Sequence, residues 1–118
     1  MIETNCNGLL SIFDDFANMF AMKLLLNAIS TAGHVMSGTV LHNRMINVRV
    51  SNDKLFYRSI GMVQDFGNVD FEIGKQCLLI SIYGEDKYKE KENDPVSKHL
   101  IAATDVNKIV PVAILLAS

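Results

Sequence analysis

The chain has 118 residues, 49% of them apolar, and a formal net charge of −2. That length fits one small domain, and the slightly acidic balance supplies no basic field to hold nucleic acid or an anionic membrane. So apolar a composition in so short a chain leads to the expectation that part of its surface faces a partner or another portion of the same protein.

Residues 1–8 are polar and are expected to be disordered. The opening "MIETNCNG" lacks the basic and apolar regions of a secretory signal. The apolar run that follows is interrupted by Lys23 and Asn27, too short and too polar to span a bilayer. Cys6 and Cys77 lie far apart without a paired spacing, which points to reduced thiols in an intracellular compartment; the expected localisation is cytoplasmic and/or nuclear.

From Leu9 the apolar positions Leu9, Ile12, Phe13, Phe16, Phe20 and Leu24 recur at helical spacing, with Asp14, Asp15 and Asn18 opposite. Met19 to Ile29 is apolar nearly all round, which suits a helix covered on several sides. The helix is expected to continue through the small residues Ser30, Thr31, Ala32 and Gly33 to about Gly38 or Leu41, with a bend at Gly33. "MINVRV" then alternates, placing Ile46, Val48 and Val50 on one side of an extended segment and Asn47 and Arg49 on the other.

A second helix opens at Ser51–Asn52–Asp53–Lys54, buries Phe56, Ile60 and Val63, and has Gly67 as its expected C-terminal cap. A third, capped by Asp70, turns Phe71, Leu78, Leu79 and Ile82 inward and ends before Gly84. The mixed-charge stretch 85–94 reads as a solvated loop. Pro95 suits the first position of a fourth helix running to about Thr104, and "KIVPVAILLAS" forms a last apolar helix. That helix stops with its apolar face unfinished, so the chain is expected to be part of a larger fold. With its exposed apolar helices, the isolated chain is expected to self-associate. The expected fold class is mainly α, with about four to five helices.

The chemistry-bearing motifs are few. There is no P-loop, GxGxxG, paired CxxC or HExxH, and His34, His42 and His99 share no metal-ligand spacing, so no metal, cofactor or catalytic residue is expected. Ser30 and His34 stand four apart, but no orienting acid or oxyanion hole accompanies them, and helix packing accounts for both. The one candidate site is the start of the second helix. Its first turn offers free N–H groups, and a lysine there works against the helix dipole by about 0.3–1 kcal/mol unless an anion sits beside it. Ser51, Asn52, Asp53 and Lys54 are therefore candidates for an anion site, the alternative being that Asp53 simply offsets Lys54 on a solvated turn.

The stretch "LLLNAISTAGHVMSGTVLHNRMINVRVSNDKLFYRSIGMVQDF", followed by "PVSKHL" and "KIVPVAILL", resembles the C-terminal part of the glucokinase regulatory protein family and, more distantly, the bacterial N-acetylmuramic acid 6-phosphate etherases. The resemblance implies two sugar isomerase (SIS) domains followed by a helical lid. On that view residues 9–50 are the terminal helix and crossing segment of an SIS-type α/β domain, and residues 51–118 are an incomplete lid. It also implies that Lys54, in the matching "S–N–x–K–L" motif, meets the phosphate of a bound fructose phosphate such as fructose 6-phosphate once the missing SIS domains are present. The expected function is a non-catalytic, phosphosugar-sensing inhibitor of a glucokinase or hexokinase. The alternatives are a remnant of an etherase-type lyase and a ligand-free helical interaction fragment.

Overall fold

A computed structural model describes residues 2–118, with side chains from residue 8 onward. The described residues form six helices and one two-stranded ladder, divided into two compact units, residues 1–39 and 40–118.

The first unit is a single helix, α1 (Ile2–Met36), of 35 residues, roughly 50 Å long at 1.5 Å per residue. It takes in most of the segment expected to be disordered; Met1 lies outside the described residues. Residues 2–8 hold no proline and a single glycine, so nothing there forbids the helix. It runs through Gly33 and stops at a dense C-terminal knot. Gly38 takes a left-handed φ of 68°, its N–H donates to the Val35 carbonyl, and the Ser37 and Thr39 hydroxyls both donate to the His34 carbonyl. Glycine is the residue that adopts this φ without steric cost.

The second unit opens with β1 (Val40–Leu41) and β2 (Arg44–Met45), an antiparallel pair in register Val40↔Met45 and Leu41↔Arg44. The chain then crosses in extended but unpaired form. Ile46 and Val48 pack against the core and Val50 is buried within it, while Asn47 and Arg49 face outward, so the alternation read from "MINVRV" holds without a sheet.

Three helices build the core: α2 (Asp53–Gly67), α3 (Phe71–Tyr83) and α6 (Ile109–Ala117), each packed on the other two. Their facing residues Phe56, Ile60, Met62, Val63, Leu78, Leu79, Val110 and Ala113 are buried. Two glycines permit the close approaches. A Cβ on Gly67 would come within 2.6 Å of the Ala117 Cβ, and one on Gly74 within 3.2 Å of the Gln64 side chain and 3.5 Å of Ile60. Gly67 is thus a contact point between α2 and the end of α6. The left-handed cap expected of it falls instead on Asn68, φ 50°, a residue that tolerates this region well.

Other boundaries differ in detail. Phe71, expected inward, is 41% exposed at the first position of α3. The stretch 85–94, expected as a loop, contains the one-turn helix α4 (Tyr88–Lys91), because Tyr88 packs its ring against the core and fixes that turn. Pro95 is the N-cap of α5 (Val96–Ala103) rather than its first residue. α5 lies against α2 and α3. No helix among the described residues is long and apolar enough to cross a membrane.

Candidate functional site

The start of α2 is shaped by its cap. Asn52 has extended backbone, φ −154° and ψ 167°, and its Oδ1 accepts the Leu55 N–H at 2.9 Å while its carbonyl accepts the Phe56 N–H at 2.9 Å. This leaves the N–H groups of Asp53 and Lys54 without partners among the described residues. Ser51, Asn52, Asp53 and Lys54 are all exposed, brought together by the chain itself as it turns into the helix. Lys54 forms no ion pair among the described residues, and neither does Asp53, so Asp53 does not neutralise its neighbour by direct contact. Phe56, buried directly behind them in the core, holds the turn in place. The arrangement presents two free amide donors and an ammonium to whatever approaches this helix end, the combination that binds an oxyanion.

The remaining sequence candidates disperse. His34 Nδ1 lies 3.3 Å from Thr39 Oγ1, so its ring belongs to the helix-end knot and not to a pair with Ser30. His42 stacks on Phe66 with centroids 5.8 Å apart, and Arg44 pairs with Asp65 on the surface, where such a pair adds little stability. No cluster of three metal-ligating side chains occurs among the described residues.

One polar cluster escaped the sequence reading. His99 on α5 is 1% exposed, its Nδ1 lies 3.0 Å from the Tyr83 hydroxyl, and its ring stacks on Phe56 with centroids 5.7 Å apart. Its Nε2 is buried with no hydrogen-bond partner among the described residues. Burial lowers the His99 pKa, an effect partly opposed by the nearby Asp94 carboxylate. The same burial, with Asp94, raises that of Tyr83. Asp94 itself is held below the usual carboxylate range, chiefly by the hydrogen bond from Lys98 at 3.1 Å. Phe56, Lys75, Asp94 and His99 border a cavity of about 110 Å³ beside this cluster. The available signal was weak: His99 sits at helical spacing between Val96 and Ala103, the positions that turn α5 toward the core.

Residues 40–118 are thus a small helical domain wrapped on three mutually packed helices, with a capped and cation-bearing helix start. The family described as the C-terminal lid domain of glucokinase regulatory protein matches residues 42–118, and the chain belongs to this family. It is 32% identical over 101 residues to the glucokinase regulatory protein of Homo sapiens, covering 85% of this chain and 16% of that protein. It is 30% identical over 106 residues to the one from Mus musculus, covering 89% and 17%. An N-acetylmuramic acid 6-phosphate etherase of Prochlorococcus marinus is 40% identical over 83 residues, covering 61% of this chain and 27% of the etherase. The chain therefore spans about one sixth of the length of the regulatory relatives it matches.

Proposed function

We propose that this chain is the lid portion of a non-catalytic regulatory protein that senses a phosphosugar and controls a glucokinase-type enzyme. The observation that carries the proposal is the α2 start: two unpartnered amides and an unpaired Lys54, inside the segment matched to the regulatory lid family. In this reading the phosphate of a fructose phosphate lies against the Asp53 and Lys54 amides, and the Lys54 ammonium adds a point charge. SIS domains of the intact protein supply the sugar-binding surface, and Ser51 and Asn52 hold the turn in shape.

The test places residues 9–118 in the corresponding position of a full-length regulatory relative and titrates fructose 6-phosphate by calorimetry. Lys54→Gln should weaken binding roughly 10- to 150-fold, the range for a hydrogen bond to a charged group. Lys54→Arg should recover part of that loss, because a planar fork replaces a point charge imperfectly. Equal binding by the folded parent and Lys54→Gln would return Lys54 to an ordinary surface role.

The etherase relatives support a second reading, a lyase remnant, since identity to them is 40% over 83 residues for one and 52% over 58 residues for another. Loss of N-acetylmuramic acid 6-phosphate when residues 9–118 stand in the corresponding position of a full-length etherase relative would favour that reading over the regulatory one.

A further inference from the structure

Between the extended crossing segment and the α5–α6 connection lies a second cleft, of about 330 Å³. Asn47 and Arg49 border it from one side, and Thr104, Asn107 and Lys108 from the other. The outward phase of the crossing segment places Asn47 and Arg49 here, because Val50 and its alternate neighbours are committed to the core. Lys108 enters from a left-handed backbone position, φ 58°, at the head of α6.

The lining has a definite chemistry. Beside the apolar Val48 and Val106, two cations and two carboxamides border the cleft and no carboxylate among the described residues does, in a chain whose 13 acids outnumber its 11 Lys and Arg residues. Arg44, Lys91 and Lys98 each pair with an aspartate, whereas Arg49 and Lys108 pair with no acid among the described residues. An arginine and a lysine bordering one concavity can supply a guanidinium fork and an ammonium to the oxygens of a phosphate group. The Thr104 hydroxyl donates to the Leu100 carbonyl at 3.1 Å, so toward the cleft its oxygen can only accept, as from a ligand hydroxyl. The carboxamides of Asn47 and Asn107 can do both. The volume lies at the small end of ligand sites.

We propose that this cleft binds a small phosphate-bearing molecule, and that it is separate from the α2 start, since none of Ser51, Asn52, Asp53 and Lys54 borders it. Equilibrium dialysis of the 118-residue chain tests this, with radiolabelled inorganic phosphate in one arm and glycerol 3-phosphate in the other, at fixed ionic strength; the readout tolerates self-association. Saturable retention of about one equivalent per chain is expected. Arg49→Gln with Lys108→Gln should lower affinity at least roughly tenfold, and Lys87→Gln, at an exposed lysine that borders neither the cleft nor the α2 start, should leave it unchanged. Arg49→Lys with Lys108→Arg should stay within about threefold of the parent, because both charges persist. This second pair separates lost ligand contacts from lost folding. Tighter retention of glycerol 3-phosphate assigns the hydroxyl acceptors to an organic monoester, and equal retention assigns the site to the phosphate group alone. Absence of saturable binding of either probe up to about 10 mM, a free energy no stronger than roughly −3 kcal/mol, overturns the proposal. So does undiminished binding in the Arg49→Gln/Lys108→Gln chain, or an equal loss in the Lys87→Gln chain.

Discussion

Phe16 and Phe56 are the same residue in two kinds of surroundings: the first is 67% exposed on α1 and the second 1% exposed on α2. α1 is dense in Leu, Phe and Met, yet a single cylinder cannot bring its own side chains together, and Met19, Leu24 and Ile29 remain more than half exposed. The 40–118 unit manages burial with shorter helices because three of them present faces to one another. Apolar content is therefore a poor guide to stability; what matters is whether apolar faces meet.

The comparison can be broken by truncation. Leu78→Ala in the buried core should cost about 2–5 kcal/mol, whereas Leu24→Ala on α1 should leave the stability of the second unit unchanged to within about 0.5 kcal/mol. Tyrosine fluorescence during denaturant unfolding reads this directly, because all three tyrosines, Tyr57, Tyr83 and Tyr88, lie in the second unit. Comparable losses for the two variants would mean that α1 contributes to the same cooperative core. A smaller effect sharpens the account of how the faces meet. Gly67→Ala places a methyl 2.6 Å from the Ala117 Cβ and should cost about 1–3 kcal/mol through overpacking at the α2–α6 contact. A neutral or stabilising result would show that α6 does not approach that closely.

The gentlest probe is pH. The folded pKa of His99 lies below its ordinary value of 6.5, so the folded state prefers the neutral ring. Its contribution is fully present above pH 6.5 and is lost as pH falls from there through the folded pKa, because the unfolded chain takes up the proton first. Asp94, with its lowered pKa, loses its contribution only below about 3.8, so the window from 6.5 down to the carboxylate range reports His99. Urea midpoints across this window should decline in the parent and flatten in His99→Leu. An unchanged slope would assign the pH dependence to other groups.

Much of the second unit was legible because local signals and packing agree there. The Asn52 cap, the Phe56–Ile60–Val63 face and the Leu78–Leu79–Ile82 face all follow from helical spacing. Gly67 was misread as a cap because its reason lies fifty residues away at Ala117, a contact that no local pattern encodes. Tyr88 hid inside a charged run, where one aromatic ring anchored a turn that composition assigned to solvent. His99 and Tyr83 are likewise joined across sixteen residues of sequence. The candidate anion site was legible as a helix start with free N–H groups, but which of them stay free depends on the Asn52 side chain accepting from Leu55, leaving those of Asp53 and Lys54.

Cys77 gives the second unit a clock of its own. Its thiol is 7% exposed among the core residues of α3, and burial raises its pKa, so little thiolate forms while the helices stay together. Disulfide-exchange reagents can modify it only through openings that lift α3 away from its neighbours. In a Cys6→Ser background the rate of labelling at Cys77 measures how often those openings occur, and Leu78→Ala should accelerate it far more than Leu24→Ala. Equal acceleration by both would place Cys77 in local fluctuations independent of the core. A residue with no evident part in binding thereby records, one reaction at a time, how long α3 stays packed on its neighbours.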